Sequence, residues 1–123
     1  MALGPLNQIH LSVTDLDRSV TFYREVLGLD FQFRVPGQPM AFFTSGEVRL
    51  YLGVPESERY RTRSLLYFTV EDIEAEYRRL VAAGVAMESE PHPVHRDGAG
   101  ELWMAFFADP DQPQLAITQL RPA

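Results

Sequence analysis

In a chain of 123 residues without cysteine, three histidines are the natural starting points for acid–base or metal chemistry. The lack of a thiol excludes cysteine nucleophiles, disulfide frameworks and thiolate zinc sites. His92 and His95 stand three apart, a spacing at which two imidazoles can share a metal. Pro91, Pro93, Gly98 and Gly100 around them read as a loop, however, and no third histidine is near. The stretch from His92 to Gly100 is therefore a surface loop, a lid bringing His95 or Arg96 to a ligand, or a metal pair short of ligands. His10 is placed differently. Ile9, Leu11 and Val13 alternate with Gln8, His10 and Ser12, the period-two pattern of a strand with two unlike faces. On such a face His10 is a hydrogen-bonded structural residue, a hydrogen-bonder to a ligand, or a general base, and it is the best candidate base in the chain. No Ser/His/Asp grouping, phosphate loop or Gly-x-Gly-x-x-Gly is present.

The elements that position these residues are written twice. Met40-Ala41-Phe42-Phe43 recurs as Met104-Ala105-Phe106-Phe107, Val13-Thr14-Asp15-Leu16-Asp17 is echoed by Val70-Glu71-Asp72-Ile73-Glu74, and Gly28-Leu29 by Gly84-Val85. The offset grows between Gly84 and Met104, so the second copy carries extra residues, which the loop-like His92–Gly100 stretch can hold. Each copy reads as strand, helix, then three strands. In the first, Thr14 or Asp15 caps a helix whose inward stripe is Leu16, Val20, Tyr23 and Leu27, and Gly28 ends it. Strands follow at 30–35, 39–44 and 47–53. In the second, a strand at 65–70 precedes a helix with Ile73, Tyr77 and Leu80 inward, Gly84 stops it, and strands are expected near 85–90, 101–108 and 114–120. The reading is one α+β domain over 1–123, made of module 1 (about 5–54) and module 2 (about 64–120). The link from Pro55 to Arg63 carries Arg59, Arg61 and Arg63, either as a solvated connector or as a grip for an anion or a second subunit.

Composition agrees with a folded domain: 46% of residues are hydrophobic and 23% charged, outside the range of disordered chains. Eleven basic against seventeen acidic residues give a net charge of −6, which repels a phosphate backbone and argues against nucleic acid as a partner. No apolar run approaches the roughly 18 residues that a bilayer span needs, so no membrane partner and a cytoplasmic location are expected.

Leu11-x-Val13-x-Asp15-Leu16-Asp17-Arg18-Ser19-x-x-Phe22-Tyr23-x-x-Val26-Leu27-Gly28-Leu29 within two βαβββ modules resembles the vicinal oxygen chelate superfamily, the glyoxalase I, bleomycin-resistance and extradiol-dioxygenase group. Phe107-Ala108-Asp109-Pro110-Asp111 is similar to a turn of the same group, with Gln112 where glycine is usual. The resemblance implies two cupped mixed sheets around a pocket. Metal-dependent members place His or Glu at four strand positions of that pocket, and in this chain those positions hold Gln8, Tyr51, Leu65 and Ala116. A hard divalent cation has little to bind in that set, so no metal and no cofactor are expected. A strand slipped by one residue turns its side chains away, and one slipped by two adds only His10 as a metal-binding residue.

Residues two apart on a strand share a face. The pocket wall is therefore expected to include Gln8, His10 and Ser12; Arg49 and Tyr51; Leu65 and Tyr67; and Gln114, Ala116 and Thr118, with Phe42 and Phe106 as floor. Ligand contacts are assigned to Gln8, His10, Phe42, Arg49, Tyr51, Tyr67 and Phe106, where Arg49 pairs either a carboxylate of the protein or an anionic group of the ligand. Trp103 alternates onto the face opposite Phe106, toward a helix or a subunit. The expected function is metal-independent binding of a small organic ligand by a homodimer of the bleomycin-resistance type. The alternatives are a lyase, isomerase or dioxygenase of the same superfamily, or a regulatory module with no ligand.

Overall fold

The computed structural model describes residues 3–111 and 115–123. The chain divides into two compact units, one ending at Arg63 and the other starting at Ser64, so the connector belongs to the first. Each unit carries a four-stranded mixed sheet and helix, an α+β architecture with no closed barrel.

In unit 1, β1 (Gln8–Ser12) is followed by α1 (Leu16–Thr21), β2 (Asp30–Arg34), β3 (Met40–Ser45) and β4 (Val48–Gly53), in sheet order β1-β4-β3-β2. The β1–β4 pair is parallel and the others antiparallel. Asp15 is the N-cap, its carboxylate accepting from Arg18 N–H at 3.1 Å, which satisfies one of the donors a helix start leaves unpaired. The helix then widens through a π-helical turn, Phe22–Val26, with Leu27 N–H bonded to the Phe22 carbonyl. Gly28 closes it at φ 77°, a conformation that glycine adopts without the steric cost of a Cβ. One sheet face buries Leu11, Ala41, Phe43, Leu50 and Leu52 with Leu16, Val20 and Tyr23 of the helical segment. The alternate residues of the same strands form the other face. A bulge between Phe31 and Phe33 lets Phe31 pair with Phe43 on the helix side and Phe33 with Phe42 on the opposite side.

Unit 2 repeats the plan with β5 (Tyr67–Thr69), α2 (Ile73–Ala82), β6 (His92–Asp97), β7 (Gly100–Phe107) and β8 (Leu115–Pro122), in order β5-β8-β7-β6. Asp72 caps α2 through Ala75 N–H at 3.1 Å, and Gln119 holds the same helix start by accepting from Ile73 N–H at 2.9 Å. Ile73 and Leu80 are buried while Tyr77 is half-buried.

The strand expected near 85–90 is instead one bridge, Met87 opposite Phe107, flanked by Glu88 N–H to the Phe106 carbonyl at 2.8 Å. The chain then leaves the sheet edge, and the Ser89 hydroxyl accepts from Phe106 N–H at 3.1 Å. Pairing resumes at His92, so the stretch read as a loop is mostly β6, and the additional residues lengthen a hairpin. Pro91 and Pro93 read as breakers because a central strand cannot spare an N–H. β6 is an edge strand, where proline is tolerated, and a bulge follows Pro93. Trp103 faces the helix side, as alternation predicted. The Arg121 guanidinium lies 4.1 Å from its ring centroid, and its indole N–H donates to Glu101.

Candidate functional site

In unit 1 the sheet face away from α1 carries one ring from each strand. His10 lies opposite Tyr51, Tyr51 opposite Phe42, and Phe42 opposite Phe33. Phe33 and Phe42 stack at 4.8 Å between centroids, Phe42 and Tyr51 at 4.9 Å, and His10 meets Tyr51 edge-on at 4.5 Å. Such cross-strand aromatic pairs contribute about 0.5–1.5 kcal/mol each beyond area burial. Phe42, in mid-row, is 8% exposed and Phe33, at the sheet edge, is 46% exposed.

Gln8 and Arg49 face one another on the same side of this sheet, both exposed. The Arg49 guanidinium lies over the Phe42 ring at 5.5 Å, and among the described residues it has no carboxylate partner. Ser12 is buried. In unit 2, Tyr67 and Phe106 lie on either side of Ala116, with Tyr67 51% exposed and Ala116 fully buried. Leu65 is exposed, and Gln114 lies outside the described residues. Thr118 stands between Thr69 and Met104. Its hydroxyl oxygen is shielded from solvent and lacks a hydrogen-bond partner among the described residues.

His10 and Tyr51 open onto a groove of about 410 Å³ in unit 1. Its other walls are the β2–β3 turn and start of β3, with Gln38, Pro39 and Met40, and the connector after β4, with Val54, Pro55, Glu56 and Tyr60. The sequence reading missed these walls, because a connector has no periodicity that says which way a side chain points. The available signal was Tyr60, a lone ring among three arginines. Thr62 secures the connector: its N–H donates to Ser12 Oγ at 2.7 Å and its hydroxyl donates to the His10 carbonyl at 3.1 Å. Arg61 pairs with Glu58 at 3.0 Å, and Arg59 lies 5.5 Å from the Tyr60 centroid. The arginine cluster is thus a partly self-neutralised connector.

His10 Nδ1 lies 3.4 Å from Thr62 Oγ1. A proton on Nδ1 would let Thr62 Oγ1 accept there while that hydroxyl donates to the His10 carbonyl. Burial lowers the His10 pKa from 6.5, so the neutral ring is favoured. The unfolded chain then takes up a proton at higher pH than the folded one, and stability present above pH 6.5 falls as pH drops below it. Urea midpoints measured from pH 8 down to about pH 5 should fall more for the wild type than for His10→Gln; parallel curves would remove His10 as the cause.

The other histidines have separate partners. His92 Nδ1 donates to the Glu90 carbonyl at 2.8 Å, and His95 Nε2 lies 3.1 Å from Asp97 Oδ2. Asp97 is held below the usual carboxylate range first by the Ala99 N–H and then by His95. Among the described residues no three His, Asp or Glu side chains converge as a metal site, and no helix is long and apolar enough to cross a membrane.

A family model described as "Glyoxalase/Bleomycin resistance protein/Dioxygenase superfamily" matches residues 5–117. The chain is 32% identical to the glutathione transferase FosA of Serratia marcescens, over 94% of this chain and 80% of that protein. It is 30% identical to the protein YraH of Bacillus subtilis, over 94% and 98%. It also superposes on TnmS3, an antibiotic binding protein from Streptomyces sp. CB03234, with a TM-score of 0.76 at 24% identity, covering 98% of this chain and 99% of that one.

Proposed function

The chain belongs to the Glyoxalase/Bleomycin resistance protein/Dioxygenase superfamily, and we propose that it binds a small organic molecule, an antibiotic or a metabolite, in the groove of unit 1 without using a metal. Relatives bearing both transferase and antibiotic-binding names leave the choice to this chain's own donor set. That set carries the reading. Leu65 and Ala116 have no donor atom, the Gln8 amide is exposed, and the Tyr51 ring is committed between Phe42 and His10. These residues do not fit a divalent cation that prefers carboxylate, imidazole and water ligands. Aromatic walls with a few polar groups do fit an organic ligand. By resemblance to the bleomycin-resistance type, the acting form is a homodimer.

A second reading, an enzyme of the same superfamily, is favoured by one observation: burial opposes protonation of His10, which keeps the ring in the neutral form a general base needs. Metal analysis of the purified chain, followed by a melting-temperature screen of antibiotics and metabolites, tests the first reading. Substoichiometric metal and a ligand-induced rise in melting temperature are expected; stoichiometric nickel, zinc, manganese or iron would sink it. His10→Ala separates the two. A binder keeps weakened binding, whereas an enzyme using His10 as base loses turnover by about 10² or more.

A further inference from the structure

We propose that residues 55–61 are a strap that opens while the sheet stays folded, so that the outer wall of the unit 1 groove is movable, with Thr62 as its clasp; the strap's bearing on ligand entry rests on the groove being the ligand site. The two walls of the groove differ in kind. His10, Tyr51 and Met40 project from the sheet, where Tyr51 is wedged between Phe42 and His10. Pro55, Glu56 and Tyr60 belong to the connector, which is exposed from Glu56 to Arg61.

Hydrogen bonds tie the strap down at its two ends. At one, Val54 N–H donates to the Pro39 carbonyl at 3.1 Å. At the other, the Thr62 N–H and hydroxyl reach Ser12 Oγ and the His10 carbonyl. Between these ties the strap bonds to itself. Tyr60 N–H donates to the Ser57 carbonyl and Arg61 N–H to the Glu58 carbonyl, both at 3.1 Å, Arg61 pairs with Glu58, and the Arg59 guanidinium lies over Tyr60. Among the described residues no hydrogen bond, ion pair or ring contact joins residues 55–61 to the sheet. A segment of this kind, exposed and bonded mainly within itself, opens at a lower cost than the core. β1 is an edge strand, so releasing Thr62 from the His10 carbonyl hands that carbonyl to water and leaves the β1–β4 pairing intact. Two hydrogen bonds made in competition with water hold the closed form by about 10- to 100-fold.

Hydrogen exchange of the whole chain, followed by NMR at neutral pH under rising sub-denaturing urea, tests this. The Thr62 amide is expected to exchange about 10- to 100-fold more slowly than an unstructured amide, with little dependence on urea because a local opening exposes little surface. The amide of Leu50, buried on the central strand β4, should exchange far more slowly and speed up with urea. Thr62→Val keeps the side chain's shape and removes its hydroxyl. It should speed exchange at residue 62, corrected for intrinsic rate, and trypsin cleavage after Arg61 by about two- to tenfold; Thr62→Ser, which retains the hydroxyl, should stay near the wild type. A Thr62 amide as slow as that of Leu50 and rising with urea beside it would make the strap part of the global unit and overturn the proposal. An amide as fast as an unstructured one would leave no closed strap, and wild-type rates in Thr62→Val would remove the clasp; either overturns it too. The first two outcomes need only the wild type, so they stand whether or not the variants fold. None needs a ligand: a melting-temperature screen of antibiotics and metabolites without a hit removes the groove reading and leaves the measured strap untouched.

Discussion

Phe43→Ala is expected to destabilise the protein by about 3–5 kcal/mol, the range for truncating a fully buried aromatic ring. Phe43 has no exposed surface and sits on the helix side of the unit 1 sheet, 5.4 Å from the Phe31 ring and 6.2 Å from that of Tyr23. Tyr23 is itself fully buried on the π-helical turn, so it has little freedom to move into the space left behind. The cost thus combines lost transfer energy with a retained cavity. Urea denaturation should show a lower midpoint at unchanged slope. A loss under about 1 kcal/mol would mean that this face repacks freely, contrary to the close packing of protein cores. Phe33→Ala, on the opposite face at the sheet edge, should cost only about 1 kcal/mol, since one stacked pair is lost from a half-exposed position.

Gly53→Ala should have the largest effect on binding, reducing groove affinity about tenfold while costing about 1–3 kcal/mol of stability, the range for an overpacked site. Gly53 ends β4, and a Cβ there would stand 2.7 Å from Tyr51 Cε1 and 3.1 Å from His10 Nε2. Its φ is not positive, so alanine is acceptable to the backbone and the cost is one of space. Tyr51 cannot yield cheaply, because Phe42 stacks on one side of it and His10 meets it on the other. Relief requires the ring to leave the row, which removes a groove wall. The double variant Tyr51→Leu/Gly53→Ala tests the mechanism: with the ring gone, the added methyl should cost much less than in the wild type. A Gly53→Ala variant with wild-type affinity would show that Tyr51 does not shape the bound state.

Much of each unit follows from residues close together in the chain. Asp15 and Asp72 cap helices because a carboxylate one residue before a helix start reaches its free N–H groups. Gly28 and Gly84 end helical segments at positive φ for a reason equally local. Alternation placed His10 and Tyr51 on one face and Trp103 on the helix side, since the pleat of a strand forces successive side chains apart. The repeated segments announced two βαβββ units. The readings that changed depend on partners distant in sequence. Pro93 is compatible with β6 only because that strand lies at the sheet edge, and sheet order is a property of long-range pairing. Tyr60 and Glu56 form a groove wall only because Thr62 bonds back to Ser12 and to the His10 carbonyl, about fifty residues earlier. Periodicity reports which side of its own element a residue occupies. Which other segment comes to lie against that side is decided when the units fold, and for this protein that contact is what makes the end of a row of rings one wall of a groove.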